Sequence, residues 1–476
     1  MGEGPLDRDA AQLRRFGYAQ QLLRDMGGFA NFAISFSIIS ILTGAVTLYG
    51  HGLKYGGPLE MTLGWPLVSL LTLPVAASLA QLASSYPTAG ALYHWAALLG
   101  GRGAGFFTAW LNCIGQFAIT AGIDYGLAQF VVALLGVPPE RTLLVYAAVL
   151  FSHAALNHLG VRLVARLNDF SAWVHIAGVV VLVGALALFA PRQPAEFLLT
   201  RFTNAPRPYW FGFLLGLLQA GWTFTGFDAS AHVSEETHDP TRNAPWGIFL
   251  SVAVSALAGW ALLIAVTLGI GDLGAAVTAD NPFIHVLRMA LGTRLGGALV
   301  WVAVLAMWFC GLSSVTSNSR MLFAFARDGG LPFSRQLATV SDRYRSPHVA
   351  IWVSTAAALA IALWTEAYSD YREAVYTAMT ALATIALYAS YGLPIWFGLR
   401  ARQSGRWTRL GPWHLGRWSA AVNVAALLWI CTLTVLFVLP PNQVAGYTFA
   451  GALALLGVYW VFWMRQRFKG PPVRDV

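Results

Sequence analysis

Two carboxylates stand in surroundings that disfavour charge. Asp124 lies in "FAITAGIDYGLAQF" and Asp228 in "QAGWTFTGFDASAHV", both stretches dominated by apolar side chains. If these stretches cross a bilayer, each carboxylate costs about 2.5–3.5 kcal/mol at a helix centre, so each should face a cavity or a partner and not lipid. Such a group can answer an ammonium ion, a metal cation or a proton. Asn112, Gln116, Thr120 and Asp124 recur every four residues and so share one helix face. Trp222, Phe224 and Phe227 surround Gly226 and Asp228, and aromatic faces attract ammonium groups and close over apolar solutes. His175 lies in "DFSAWVHIAGVVVLV"; because histidine's reference pKa is near neutral it is the natural single proton carrier here, its alternative being a packing residue. His153, Asn157 and His158 are alternatives to it, but they lie near a cytoplasmic segment end, where a hydrated structural role is expected. No nucleophile stands with a base, no metal-ligand spacing occurs, and no cofactor loop has its strand and helix, so the reading contains no enzyme, cofactor or metal site. Cys113, Cys310 and Cys431 are widely spaced and read as small buried apolar residues.

The elements that hold these residues are long apolar segments. The chain has 476 residues, 57% apolar and 11% charged, and a membrane helix needs about 20 mostly apolar residues. Twelve segments satisfy that template, near 28–50, 61–86, 105–135, 142–160, 167–190, 210–233, 245–270, 296–325, 347–365, 373–398, 418–439 and 446–464. The net charge of +9 is distributed as topology demands and not as a nucleic-acid footprint. Of the 30 basic residues, all but Lys54, Arg141, Arg192, Arg201, Arg207, Arg288, Arg294 and Arg372 fall at alternate segment ends. The positive-inside rule then puts both termini in the cytoplasm, and the expected location is the plasma (inner) membrane.

The first segment carries Ser35, Ser37, Ser40, Thr43 and Gly44 in its middle, and the sixth carries Thr223, Thr225, Gly226 and Asp228. Polar, glycine-containing interruptions at corresponding places predict two five-helix repeats of opposite orientation with a broken first and sixth helix. The alternative for either glycine is close helix packing. Backbone groups freed by a break need a cavity or a ligand. N-terminal half-helix ends suit a carboxylate, and freed carbonyls suit ammonium groups or cations. The expected organisation is a cytoplasmic tail over 1–27, repeats over 28–190 and 191–398, two further membrane helices within 399–464, and a cytoplasmic tail over 465–476.

Four stretches, "SSYPTAGALYHWAALLG", "GFDASAHVSEETHDPTRNAP", "SNSRMLFAFARDGGLP" and "GPWHLGRWSAAVNVAALLW", resemble the amino acid, polyamine and organocation transporters, in particular the amino acid/choline branch that includes γ-aminobutyrate (GABA) permeases. The resemblance runs nearly end to end. It implies an all-α, LeuT-type inverted-repeat membrane fold that moves a small amine-bearing solute by alternating access. Substrate binding in relatives maps onto Ser40, Thr43 and Gly44, although this chain has Leu42-Thr43-Gly44 where paired glycines are usual. Trp222 matches a position that closes over substrate, and Asp228 a position linked to gating or pH response. His175 falls where proton-coupled relatives carry a lysine in place of sodium, which implies proton coupling. Ser313, Ser314, Thr316 and Ser317 would instead complete a sodium site. Glu235, Glu236 and Arg242 belong to a cytoplasmic gate motif, with Arg320 and Arg327 as partners.

The expected function is therefore a secondary active permease for an amino acid or related amine, proton-coupled or exchanging. Expected substrate contacts are Ser40, Thr43, Gly44, Gln116, Thr120, Asp124, Trp222, Thr225, Gly226, Phe227 and Asp228. The alternative is a choline or polyamine carrier, or a sodium symporter. Membrane lipid is the expected surrounding partner, nucleic acid is not expected, and the chain is a monomer or homodimer.

Overall fold

The computed structural model describes residues 5–205, 208–367 and 372–472; the ends of both expected tails lie outside them. In chain order the helices are α1 (Pro5–Arg15), α2 (Gly28–Ile39), α3 (Ile41–Thr47), α4 (Tyr49–Leu59), α5 (Trp65–Ser85), α6 (Ala91–Gly100), α7 (Arg102–Leu135), α8 (Thr142–His158) and α9 (Val161–Phe189). They continue with α10 (Tyr209–Gly216), α11 (Leu218–Thr223), α12 (Ala229–His232), α13 (Pro240–Leu268), α14 (Leu273–Thr278), α15 (Pro282–Arg327), α16 (Ser334–Leu337), α17 (His348–Ala367), α18 (Arg372–Gln403), α19 (Ser419–Val438) and α20 (Gln443–Tyr459). A π-helical turn, Glu60–Gly64, joins α4 to α5. The one β-type pairing among the described residues is a parallel bridge between Met26 and Thr237.

Nine helical stretches among the described residues are long and apolar enough to cross a bilayer. They cover nine of the twelve expected segments. The other three are α8, which has 17 residues, the divided run α10–α11–α12, and α17. Membrane character also shows in what the helices expose. Leu188, Leu257, Leu455 and Phe462 point outward without apolar cover, an arrangement suited to a hydrocarbon solvent and unfavourable in water. Inside, α7 packs against α15 and α18, α5 and α2 against α13, and α2 and α15 against α9.

Both interruptions are present as backbone features. Between α2 and α3, Ser40 takes φ 31°, and its carbonyl receives the N–H groups of Thr43 (2.7 Å) and Gly44 (2.9 Å). After α11 the chain leaves helical form at Phe224, turns at Gly226 with φ +78°, and resumes at Ala229. The two glycines have different tasks. Gly226 supplies a left-handed conformation that side chains disfavour. Gly44 lies within α3 and supplies clearance, since a methyl there would stand 2.5 Å from Thr223 Oγ1 and 2.7 Å from Thr223 Cα. Of the cysteines, Cys113 and Cys310 are buried as expected, whereas Cys431 is exposed on an outward face of α19.

Candidate functional site

At the first interruption the polar groups close on His175. Its Nδ1 lies 2.8 Å from the Ser171 carbonyl oxygen, which can only accept, so Nδ1 carries the hydrogen. Its Nε2 then faces Ser40 Oγ at 2.7 Å, and Ser40 Oγ faces Thr43 Oγ1 at 2.6 Å. With a neutral ring the Ser40 hydroxyl donates to Nε2. A proton arriving on Nε2 reverses that bond and turns the Ser40 hydrogen toward Thr43. All three residues are buried, and the His175 ring contacts the residue at which the helix breaks.

At the second interruption the freed backbone groups are held by two tyrosines of α18 and by Thr225 of the break itself. Tyr388 Oη donates to the Phe224 carbonyl (2.8 Å), and Thr225 Oγ1 donates to the Trp222 carbonyl (2.7 Å). The Gly226 N–H donates to Tyr391 Oη (3.1 Å), which in turn donates to Asp228 Oδ1 (2.8 Å). Asp228 Oδ2 receives Asn112 Nδ2 (3.1 Å) and faces His232 Nε2 (3.1 Å), while His232 Nδ1 faces the Ala89 carbonyl (3.0 Å). Since a carbonyl takes the hydrogen of Nδ1, the Asp228–His232 pair shares one further proton between carboxylate and Nε2. Phe227 packs on the Tyr391 ring at 4.9 Å, and Trp222 lies over Gly122, where a methyl would come within 2.8 Å of the indole. Tyr391→Phe removes the hydroxyl that serves both Gly226 and Asp228. Because it strands buried polar groups, it is expected to lower stability by about 1–3 kcal/mol and to reduce uptake. Thermal melting and initial uptake rates would check this, and a variant equal to wild type in both would remove Tyr391 from the site.

The two interruptions touch. Gly44 packs on Thr223, Gly226 on Ile38, Ser35 Oγ donates to the Phe227 carbonyl (2.8 Å), and the Ser230 N–H donates back to Ser35 Oγ (2.8 Å). Ser40, Thr43, Gly44, Trp222, Thr225, Gly226, Phe227 and Asp228 thus belong to the two abutting breaks.

The α7 stripe leads away from that place. Asn112 reaches Asp228, but Gln116 donates to Ser317 (3.3 Å), Thr120 pairs with Ser314 (2.7 Å), and Asp124 Oδ2 pairs with His153 Nδ1 (3.1 Å). Twelve helical residues span roughly 18 Å, so Asp124 and Asp228 serve different regions. His153 and Asn157 are fully buried, a correction to the hydrated role expected of them, because α15 covers that face of α8. Ser313 donates to Asn168 Oδ1 and Thr316 to Asn157 Oδ1, both at 2.7 Å, so these two hydroxyls already serve neighbouring amides.

One end of the bundle is shut by charge. Arg320, fully buried on α15, meets Glu236 at 3.0 Å, and Arg327 grips Glu235 with two bonds of 2.9 and 3.0 Å. Burial alone would raise the Glu235 carboxyl, but the Arg327 guanidinium overrides it and holds the group below its ordinary value. The contribution of that pair is present at neutral pH and is lost only as pH falls through the lowered value. The segment before α2 straps this cluster. Gln20 donates to the Glu235 carbonyl (2.7 Å), Arg24 to the carbonyls of Ser234 and Thr237, and the Arg327 guanidinium lies 3.9 Å over the Tyr18 ring. Arg242 stands apart: its side chain is exposed and, among the described residues, its one ion pair is with Asp239 at 4.0 Å. It lies in the first turn of α13.

The opposite end holds a cavity of about 1000 Å³ that reaches Thr47 and Tyr376 and is lined by His51, Lys54 and Asp280. Sequence reasoning overlooked Tyr388, Tyr391 and His232. The run "LYASYG" and the four-residue spacing of Asp228 and His232 were the available signals.

Residues 27–462 match the family described as "Amino acid permease". The chain is 37% identical to an "Amino-acid permease BAT1 homolog" of Oryza sativa subsp. japonica and 36% identical to "Amino-acid permease BAT1" of Arabidopsis thaliana; each comparison covers 98% of this chain and 96% of the relative. A "GABA-specific permease" of Saccharomyces cerevisiae is 28% identical over 97% of this chain and 86% of its own length.

Proposed function

This chain belongs to the amino acid permease family and is a multi-pass integral membrane protein, and from that premise we propose that it moves an amino acid of the GABA type, or a related amine, by proton-coupled alternating access. The observation that carries the reading is the contact between two interrupted segments midway between a charge-sealed end and a wide cavity. A solute entering from the cavity side would meet Thr47 and Tyr376 first and the two breaks beneath them. Freed amides would take its carboxylate and freed carbonyls its ammonium. The sealed end corresponds to the cytoplasm of a plasma (inner) membrane, and the helices group as twelve spans in two inverted sets of five plus two. A similar relative named for GABA supports the substrate class.

His175 carries the coupling proton in this reading, because its Nε2 contacts the residue at the first break. Sodium is disfavoured by the engagement of Ser313 and Thr316 with Asn168 and Asn157. A choline or polyamine substrate is disfavoured by the engagement of both Asp228 oxygens with Asn112 and Tyr391.

Uptake of radiolabelled GABA into proteoliposomes under an imposed proton or sodium gradient tests the proposal. Acceleration by the proton gradient, competition by amino acids and indifference to choline are expected. Inhibition by quaternary amines but not by amino acids would overturn the substrate class. His175→Ala should abolish the pH dependence of uptake, and a folded His175→Ala protein with unchanged pH dependence would remove His175 from the proton path.

A further inference from the structure

Glu60 opens the π-helical turn between α4 and α5, and it is fully buried. Neither carboxyl oxygen has a hydrogen-bond partner, and among the described residues no cation forms an ion pair with it. The space it fills is cleared by glycines. A methyl on Gly52 would stand 2.6 Å from Oε2, one on Gly64 2.7 Å from Oε1, and one on Gly216 3.0 Å from Cγ, while Gly56 lies directly against the stem. Four glycines from α4, α10 and the turn itself therefore form a fitted slot for this side chain.

The slot offers acceptors. Gln219 Nε2 donates to the Ala45 carbonyl (2.7 Å), which fixes the amide, and the same methyl point on Gly52 that lies 2.6 Å from Glu60 Oε2 lies 2.8 Å from Gln219 Oε1. An ionised carboxylate beside an amide oxygen and without a donor is strongly unfavourable in a buried site, whereas a carboxylic acid is tolerated and has a hydrogen to offer. The titratable groups on the surrounding segments have other engagements. Tyr49 faces Thr267 (3.4 Å), His51 Nε2 faces the Leu215 carbonyl (3.1 Å), and Tyr209 donates to the Gly56 carbonyl (2.7 Å). Arg201 lies over the rings of Tyr209 and Trp210, Lys54 lines the cavity, Tyr55 packs on His51, and Glu196 is exposed. Helix α5 brings no titratable group, and the one on α13, Arg242, lies at its opposite end.

We propose that Glu60 is a proton-binding site whose occupancy follows the position of α10. While Gly216 packs on its stem, the carboxyl is neutral. When α10 moves away, water enters, the O–H bond breaks, the proton passes to that water and the electron pair stays on the carboxylate; closure reverses the step. The link to α10 movement rests on the alternating-access reading, whereas the protonation itself does not.

Infrared difference spectroscopy on the purified full-length protein at neutral pH tests the site without transport. The carbonyl-stretch band of a protonated carboxylic acid should be lost in Glu60→Gln and kept in His175→Ala. Superimposable spectra of wild type and Glu60→Gln in that region would overturn the proposal, as would a band that appears only when sodium is removed. In Gly216→Leu, where a methyl alone would already meet the Glu60 stem at 3.0 Å and the larger side chain wedges α10 away from it, the band should exchange faster in D2O, and an unchanged exchange rate would detach α10 from the site. Loss of the band in Glu60→Gln together with absent GABA uptake by wild type would sink the transport reading and leave the proton site standing.

Discussion

Arg320→Ala is expected to destabilise the protein by about 3–5 kcal/mol, the range for removing one partner of a buried ion pair. The cause is what remains. Glu236 is fully buried, its carboxylate is served by the Nε and Nη2 atoms of Arg320, and no solvent can replace them. Uptake should fall with stability, because the sealed end can no longer close between cycles. The double replacement Glu236→Gln with Arg320→Met separates the two effects. It removes both charges, so it should recover much of the melting temperature without recovering coupled transport. Melting curves and uptake measured in parallel decide the matter. A single Arg320→Ala variant that melts like wild type would show that the pair holds nothing together.

Gly226→Ala is expected to abolish uptake. The backbone there has φ +78°, which costs a side-chain-bearing residue about 1–3 kcal/mol. The added methyl also collides with the Ile38 side chain across the junction of the breaks, and overpacking costs about 1–3 kcal/mol more. The two penalties act on one point, so the chain relieves them by moving the segment from Phe224 to Asp228 and detaching Gly226 N–H from Tyr391. Ile38→Ala introduced together with Gly226→Ala relieves the collision but not the backbone strain, and partial recovery of uptake is the expected result. Wild-type uptake by Gly226→Ala would contradict the role of this turn.

What the amino-acid sequence disclosed was whatever depends on runs along the chain. Long apolar stretches need no partner to be recognised, and nine of them are helices of membrane length. Gly226 was legible because glycine beside a polar residue in an apolar run is a local anomaly. The partners at the second break were not legible. Tyr388 and Tyr391 reach the second break across more than 160 residues of chain, and nothing in their neighbours announces that. Arg320 and Arg327, which the family resemblance supplied as partners, do meet Glu236 and Glu235, whereas Arg242, beside those carboxylates in sequence, pairs with Asp239. Glu60 escaped notice for another reason. It sits at the edge of an apolar run, where a carboxylate reads as a solvated flank, and only the packing of α10 over it shows that it is dry.

The strap formed by residues 18–26 changes how the N-terminus should be handled experimentally. Met26 pairs with Thr237, Asp25 N–H and Met26 N–H both donate to the Glu236 carbonyl, and Tyr18 donates to Asp328 at 2.6 Å. The sealing cluster is therefore sewn to the segment between α1 and α2. A truncation through this stretch removes contacts to the sealing cluster, so a melting temperature below that of the full chain is expected, and affinity handles are better placed at the C-terminal end.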